Sequence, residues 1–173
     1  MGKLELAQAA IADAFNDFDP VFLNSPQFEL ESLNDALNTR MFLKVETLNL
    51  IRSFKGCGTD YFAKQHIHES AFICASAGNF GQGMTYACRK QNIPLNVFAA
   101  ETANSFKLDR MRQLEAEIQL AGTDFDAAKE TAKAYAAAKN FSYVEDGREI
   151  EVTLGAGTIG LELSLFQNRL ILC

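Results

Sequence analysis

The sequence is poor in the residues that build metal centres, disulfide frameworks and nucleic-acid surfaces. It has only two histidines, His66 and His68, two positions apart at what reads as a solvated helix end, so no metal site is expected. The four cysteines, Cys57, Cys74, Cys88 and Cys173, show no CxxC spacing and read as free thiols of a reducing compartment. Basic residues are scattered, and 16 Lys and Arg against 22 Asp and Glu leave a net charge of -6. Phosphate neutralisation needs clustered cations, so a nucleic-acid partner is excluded. No apolar run reaches the length of a membrane span. Met1-Gly2-Lys3 leads into an amphipathic segment broken by Glu5 and Asp13 rather than a secretory h-region, and the expected location is cytoplasmic.

What remains is an ordinary globular composition, 48% hydrophobic and 22% charged over 173 residues. That length suits one domain or one and a half small ones, able to bury roughly 70% of the unfolded surface.

Apolar spacings of three and four predict a helix over residues 4–18, followed by an extended piece at Val21-Phe22-Leu23 and a helix from Gln27 to Asn38. Met41 to Glu46 alternates like a strand. From residue 59 the pattern is helix and strand in turn. The expected helices are 60–69, 80–91, 104–115 and 125–139, and the strands 71–75, 95–100, 117–121 and 141–145. Asn104 is placed as one helix cap, and Thr123 with Asp126 as a capping-box-like start for another. Four such alternations with short loops predict an α/β fold, an open parallel sheet covered by helices on both faces. The domain division expected is 1–58, an N-terminal segment of a larger domain; 59–146, a small α/β domain; and 147–173, a return segment.

Two stretches carry the chemistry. Ser53-Phe54-Lys55-Gly56-Cys57-Gly58 sets a lysine on a loop entering a helix N-terminus, where amide dipoles disfavour an ammonium by about 0.3–1 kcal/mol. A neutral amine there is a nucleophile toward an aldehyde. Taken alone, Lys55 also fits a solvated surface charge. Ser76-Ala77-Gly78-Asn79-Phe80-Gly81-Gln82-Gly83 runs from a strand into a helix, where outward-pointing amides suit a carboxylate or phosphate. A tight turn with no ligand satisfies the same residues. The dinucleotide pattern GxGxxG is absent.

Together these motifs resemble the fold-type-II pyridoxal-phosphate enzymes, nearest the threonine dehydratases (threonine ammonia-lyases) and serine dehydratases. Leu43-Lys44-Val45-Glu46-Thr47-Leu48-Asn49 and Gly155-Ala156-Gly157-Thr158-Ile159-Gly160-Leu161-Glu162, read as a loop, extend the resemblance over residues 20 to 173. It implies that Lys55 is the catalytic residue, binding pyridoxal 5'-phosphate through its amine and later removing the substrate α-proton. Asn79 would bond the cofactor's 3-hydroxyl and Phe54 pack near its ring. Ser76, Ala77, Gly78 and Asn79 would bind the carboxylate of an amino acid substrate, through backbone amides and the Ser76 hydroxyl. The implied reaction is β-elimination from a hydroxy amino acid such as threonine or serine, giving a 2-oxo acid and ammonia. Diaminopropionate ammonia-lyase and serine racemase are neighbouring readings, and a truncated, non-catalytic binding module is a further one.

The sequence departs from the family pattern at Cys57, where many members have arginine, at Phe80, where they have histidine, and over Tyr143 to Gly147. These changes are expected to alter the rim of the substrate site. A thiolate role for Cys57 is an alternative to packing. Leu170-Ile171-Leu172 reads as a strand after which family members place a glycine-rich phosphate loop, absent here. The chain is therefore expected to be an N-terminal part whose exposed apolar faces seek partners, and a homo-oligomer is expected.

Overall fold

The computed structural model describes residues 7–17 and 19–171, with side chains to Phe166. Helix α1 (Gln8–Asp17) is followed by a 3-10 turn at Pro20–Phe22, then β1 (Gln27–Glu29), α2 (Glu31–Leu37) and β2 (Phe42–Lys44). The alternating part comprises α3 (Lys55–Gln65), β3 (Phe72–Ala75), α4 (Asn79–Gln91), β4 (Leu95–Ala99) and α5 (Ser105–Gln113). It continues through β5 (Glu117–Leu120), α6 (Phe125–Lys139) and β6 (Ser142–Val144) to α7 (Ile150–Ile171).

β1 and β2 form a small antiparallel pair, with Phe28 opposite Leu43. The main sheet is parallel in the order β5-β4-β3-β6. The alternation of side chains along β3 assigns its two faces. Phe72 and Cys74 join Phe80, Met84, Leu108, Met111 and Val152 on the side of α4 and α5, whereas Ile73 packs with Phe98, Ala132 and Ala136 under α6. Both faces are covered, which is why β3 and β4 read as near-continuous apolar runs. Fully burying one such Phe or Ile is worth about 1.5–3 kcal/mol. A third cluster, Ala14, Phe22, Ile51, Cys57, Tyr61 and Leu154, joins α1 and the segment before α3 to α3 and α7.

The seam between α3 and its neighbours is made by glycines. A Cβ on Gly58 would lie 2.3 Å from the Val152 carbonyl oxygen, and one on Gly155 would lie 2.6 Å from that of Cys57. Only hydrogen fits at these positions, so the backbones of α3 and α7 touch. Residues 58 and 59, where the sequence suggests a division, are consecutive residues of α3, which packs on α4 and α7 together.

Several expectations are corrected. Gly155 to Glu162 is not a loop, and Leu170 and Ile171 are not in a strand: α7 runs through both. Its glycines are tolerated because one face needs close approach, a tertiary demand that propensity does not register. Leu172 and Cys173 lie outside the described residues, as do the first residues of the helix expected from position 4. Val21 and Phe22 are not extended, because Pro20 starts a 3-10 turn capped by the Asp19 carboxylate, which accepts the Val21 N–H; only Leu23 is extended. Gln27 to Glu29 is strand rather than helix, its ladder supplied by β2. The cap of α6 is Asp124, accepting from the Ala127 N–H at 2.9 Å, not the Thr123 and Asp126 pair. Asn104 caps α5 as expected.

Candidate active site

Strand order places the site. After β3 the chain moves outward through β4 and β5, then returns past both to lay β6 on the other side of β3. Adjacent strands whose connections leave in opposite directions open a crevice at their carboxyl ends, where ligands bind in open α/β sheets. Beyond β3 lies Ser76-Ala77-Gly78-Asn79, and beyond β6 lies Glu145-Asp146-Gly147.

Lys55 is brought there by α3. It is the first residue of the helix rather than part of the preceding loop, because the chain turns into α3 five residues earlier than the expected start at Asp60. Its Nζ is 2.7 Å from Asp146 Oδ1, and the two side chains are 23% and 43% exposed. The carboxylate offsets the unfavourable dipole that an ammonium meets at a helix start. The Phe54 ring centroid lies 5.0 Å from the same Nζ, with Phe54 itself 44% exposed. A cleft of about 140 Å³ is lined by Lys55, Gly58, Asp146, Gly147, Val152, Thr153 and Ala156. A larger cleft of about 600 Å³ lies between Leu50, Ile51, Arg89 and Arg110 and contains neither Lys55 nor Asn79. The smaller one is the candidate site, because the Lys55 side chain lines it.

The glycine turn stands alongside. Thr59, one turn into α3, packs where Gly83, one turn into α4, lacks a side chain: a Cβ there would be 2.6 Å from Thr59 Oγ1. Lys55 and Asn79 therefore each lie one helical turn before the same contact, and both helices begin near the carboxyl edge of the sheet. The Ser76 Oγ accepts the N–H groups of Gly78 and Gly81, at 3.2 and 3.0 Å. That fixes the turn and leaves the hydroxyl hydrogen free to donate. The N-cap residue of α4, Gly78, has no side chain, so Ser76 bonds the first turn only at Gly81, and nothing lies within 4 Å of where a Gly78 Cβ would be. Ala77 and Gly78 are half-buried and Asn79 is exposed. A helix start with open space over its glycine suits an anionic group.

Two expected rim residues face inward. Phe80 is 4% exposed within the core beside the sheet, and Cys57 is 1% exposed. Burial, reinforced by the charges of Glu46 and Glu162, pushes the Cys57 thiol up to about 12, which disfavours a thiolate and leaves packing as its role. Asp146 is the residue sequence reasoning passed over as the partner of Lys55. The available signal was an acid two residues after a parallel strand, close to the place that Ser76 has after β3. Among the described residues there is no cluster of three or more metal-ligating side chains, and no helix is long and apolar enough to cross a membrane.

The sequence model of the family described as pyridoxal-phosphate dependent enzyme matches residues 19–170. The biosynthetic L-threonine dehydratase of Halalkalibacterium halodurans is 27% identical over 170 residues, covering 94% of this chain and 40% of that protein. The human L-serine dehydratase/L-threonine deaminase is 28% identical over 120 residues, 68% of this chain and 37% of its own length. The chain thus spans about two fifths of the curated relatives it matches. The processed form of threonine deaminase isoform 2 from Solanum lycopersicum superposes with a TM-score of 0.79 at 27% identity, over 88% of this chain and 46% of that one. A pyridoxal 5'-phosphate-dependent aspartate racemase gives 0.88 at 23% identity, over 97% and 54%, a likeness of fold.

Proposed function

The chain belongs to the pyridoxal-phosphate-dependent enzyme family, and from that membership we propose that it is the lysine-bearing part of an ammonia-lyase acting on a hydroxy amino acid such as threonine or serine. The observation that carries this reading is the Lys55 amine, paired with Asp146 at 2.7 Å, opening into a cleft near the start of α4. The residues present fit the cofactor: a primary amine at a helix start, and an unfilled space over Gly78. Lys55 would hold pyridoxal 5'-phosphate covalently, Asn79 its ring hydroxyl, and Phe54 its ring face.

When bound, the cofactor supplies the electron sink that makes the substrate α-proton acidic. Once the substrate amino group has displaced it from the cofactor, Lys55 Nζ would be free to take that proton, a role that requires the amine to be neutral at the moment of transfer. Asp146 holds the ammonium afterwards through the ion pair seen here. The amides at the start of α4, with the Ser76 hydroxyl, orient the substrate carboxylate. Elimination of the β-hydroxyl gives a 2-oxo acid and ammonia after hydrolysis. In this reading residues 59–146 are the small domain, 1–58 and 147–173 belong to a larger one, and the working enzyme is a cytoplasmic homo-oligomer.

The test is to add pyridoxal 5'-phosphate, follow the visible absorbance, trap with borohydride and map the labelled peptide. Label concentrated on Lys55 and lost in Lys55→Ala supports the reading. Equal labelling of other lysines overturns it and leaves a non-catalytic binding module of the same fold. Release of 2-oxo acid from threonine, serine and diaminopropionate then ranks substrates.

A further inference from the structure

The Lys44 to Asn49 motif has no direct part in the chemistry above, yet a continuous hydrogen-bonded path joins it to Lys55. It begins on α7. The Glu162 carboxylate, 6% exposed, accepts the Lys44 ammonium at 2.6 Å and the Asn24 N–H at 3.1 Å. Lys44, 4% exposed, also donates to Ser25 Oγ at 2.6 Å, and that hydroxyl donates in turn to Glu46 Oε1 at 2.6 Å. Glu162 and Glu46 share the single Lys44 ammonium, at 2.6 and 3.4 Å, and hydrogen bonds from Asn24 and Ser25 offset part of the cost of burying the second carboxylate.

Asn49 carries the path onward. Its Nδ2 donates to Glu46 Oε2 at 3.1 Å and to the Ser53 carbonyl at 2.9 Å, while its Oδ1 accepts the Ser53 N–H at 3.1 Å. One side chain thus grips both polar groups of Ser53. Ser53 Oγ in turn accepts the Lys55 N–H at 3.2 Å. The grip closes a turn in which Arg52, not a glycine, has φ of 55°. A non-glycine residue in the left-handed region persists only when its surroundings hold it there. Packing anchors one side of the turn through Ile51, 3% exposed in the third cluster, but the approach to it is loose, with Leu48 and Leu50 70% and 57% exposed.

We propose that Asn49 is a positioning residue for Lys55. Its amide, anchored through Glu46 and Lys44 to Glu162 of α7, holds the strained turn and so sets where α3 starts and where the lysine amine stands. The amine's part in the chemistry rests on the function proposed above; the clamp does not.

The test uses the full 173-residue chain. Trace acetylation with an N-hydroxysuccinimide ester, read by peptide mapping, gives the reactivity of Lys55 relative to Lys64 near the far end of the same helix. Asn49→Ala frees the helix start, and the Lys55 to Lys64 ratio is expected to rise about five-fold, as local opening allows. Global destabilisation would move both lysines together. Asn49→Asp loses the donor and faces Glu46 with a second carboxylate, so it gives the same rise. Pairing it with Glu46→Gln restores a bond between residues 46 and 49 and removes the facing carboxylates, but leaves the Ser53 carbonyl without its donor, so the ratio is expected to fall part of the way back toward that of the unmodified chain. Leu48→Ala leaves it unchanged. A ratio in Asn49→Ala at or below the starting value overturns the proposal, as does failure of Glu46→Gln to lower the ratio of Asn49→Asp. If Asn49→Ala does not fold, the rescue comparison decides alone. Pyridoxal phosphate labelling is run in parallel. Absence of label at Lys55 with the acetylation pattern intact rejects the cofactor reading and keeps the clamp, and the converse rejects only the clamp.

Discussion

Lys55 Nζ and Asp146 Oδ1 meet at 2.7 Å although 91 residues separate them in the chain. The pair is partly solvated, and such ion pairs contribute about 0–1 kcal/mol. Lys55→Ala and Asp146→Asn are therefore expected to shift the urea unfolding free energy by less than about 1 kcal/mol. A loss above twice that would make the pair a structural element rather than a reactive one.

Opposite outcomes are expected for two glycines of α7. Gly155→Ala drives a methyl to 2.6 Å from the Cys57 carbonyl oxygen, with backbone atoms that cannot swing aside. Overpacking of this kind costs about 1–3 kcal/mol. Gly160 has nothing within 4 Å of the added Cβ, so Gly160→Ala gains about 0.5–1 kcal/mol from helix propensity. Thermal melts of the two variants should move in opposite directions.

Acid sensitivity should be traceable to Asp19. Partial burial works to raise its carboxyl, but hydrogen bonds from Lys90 and Tyr86 overcome this and hold it at about 2, below the ordinary 3.8. A folded value below the unfolded one means stability that is complete above pH 4 and lost as pH falls through 2. Asp19→Asn should flatten the urea midpoint over that window. Asp60 has the reverse sign: burial raises it, outweighing its contact with the Asp19 N–H. Its contribution is present below pH 3.8 and declines as pH rises. Asp60→Asn should gain on the unmodified chain with increasing pH.

Thiol chemistry gives a probe of unfolding. Cys57, Cys74 and Cys88 are buried, and burial raises all three. In a Cys173→Ser background, modification by a disulfide reagent should proceed only at the rate of opening and accelerate with urea. Rapid reaction of any of the three in native buffer would contradict their placement.

The alternating half of the fold was legible because its strands are covered on both faces and bounded by turns, so apolar runs and punctuation coincide, as at Phe72–Ala75 and Phe125–Lys139. Gln27 to Glu29 was not, since a three-residue strand exists only through its partner and a leucine spacing nearby imitates a helix. Gly155 to Glu162 was misread for a related reason: a glycine that meets another backbone, Gly155, and one that meets the Ile11 side chain, Gly157, look locally like a loop. In the site, Lys55 and the Ser76 to Asn79 turn stand out by local pattern. Asp146 does not, because its meaning depends on β6 lying next to β3, a pairing that no short window of sequence contains.

The glycine seam has a consequence for tolerance to change. Contacts between Gly58 and the Val152 carbonyl, and between Gly155 and that of Cys57, involve no rotamers. Replacing neighbouring side chains can repack the clusters on either side without altering the separation of α3 and α7. The coordinate frame in which the lysine amine is held is thus written in backbone, and it can outlast extensive substitution of the residues around it.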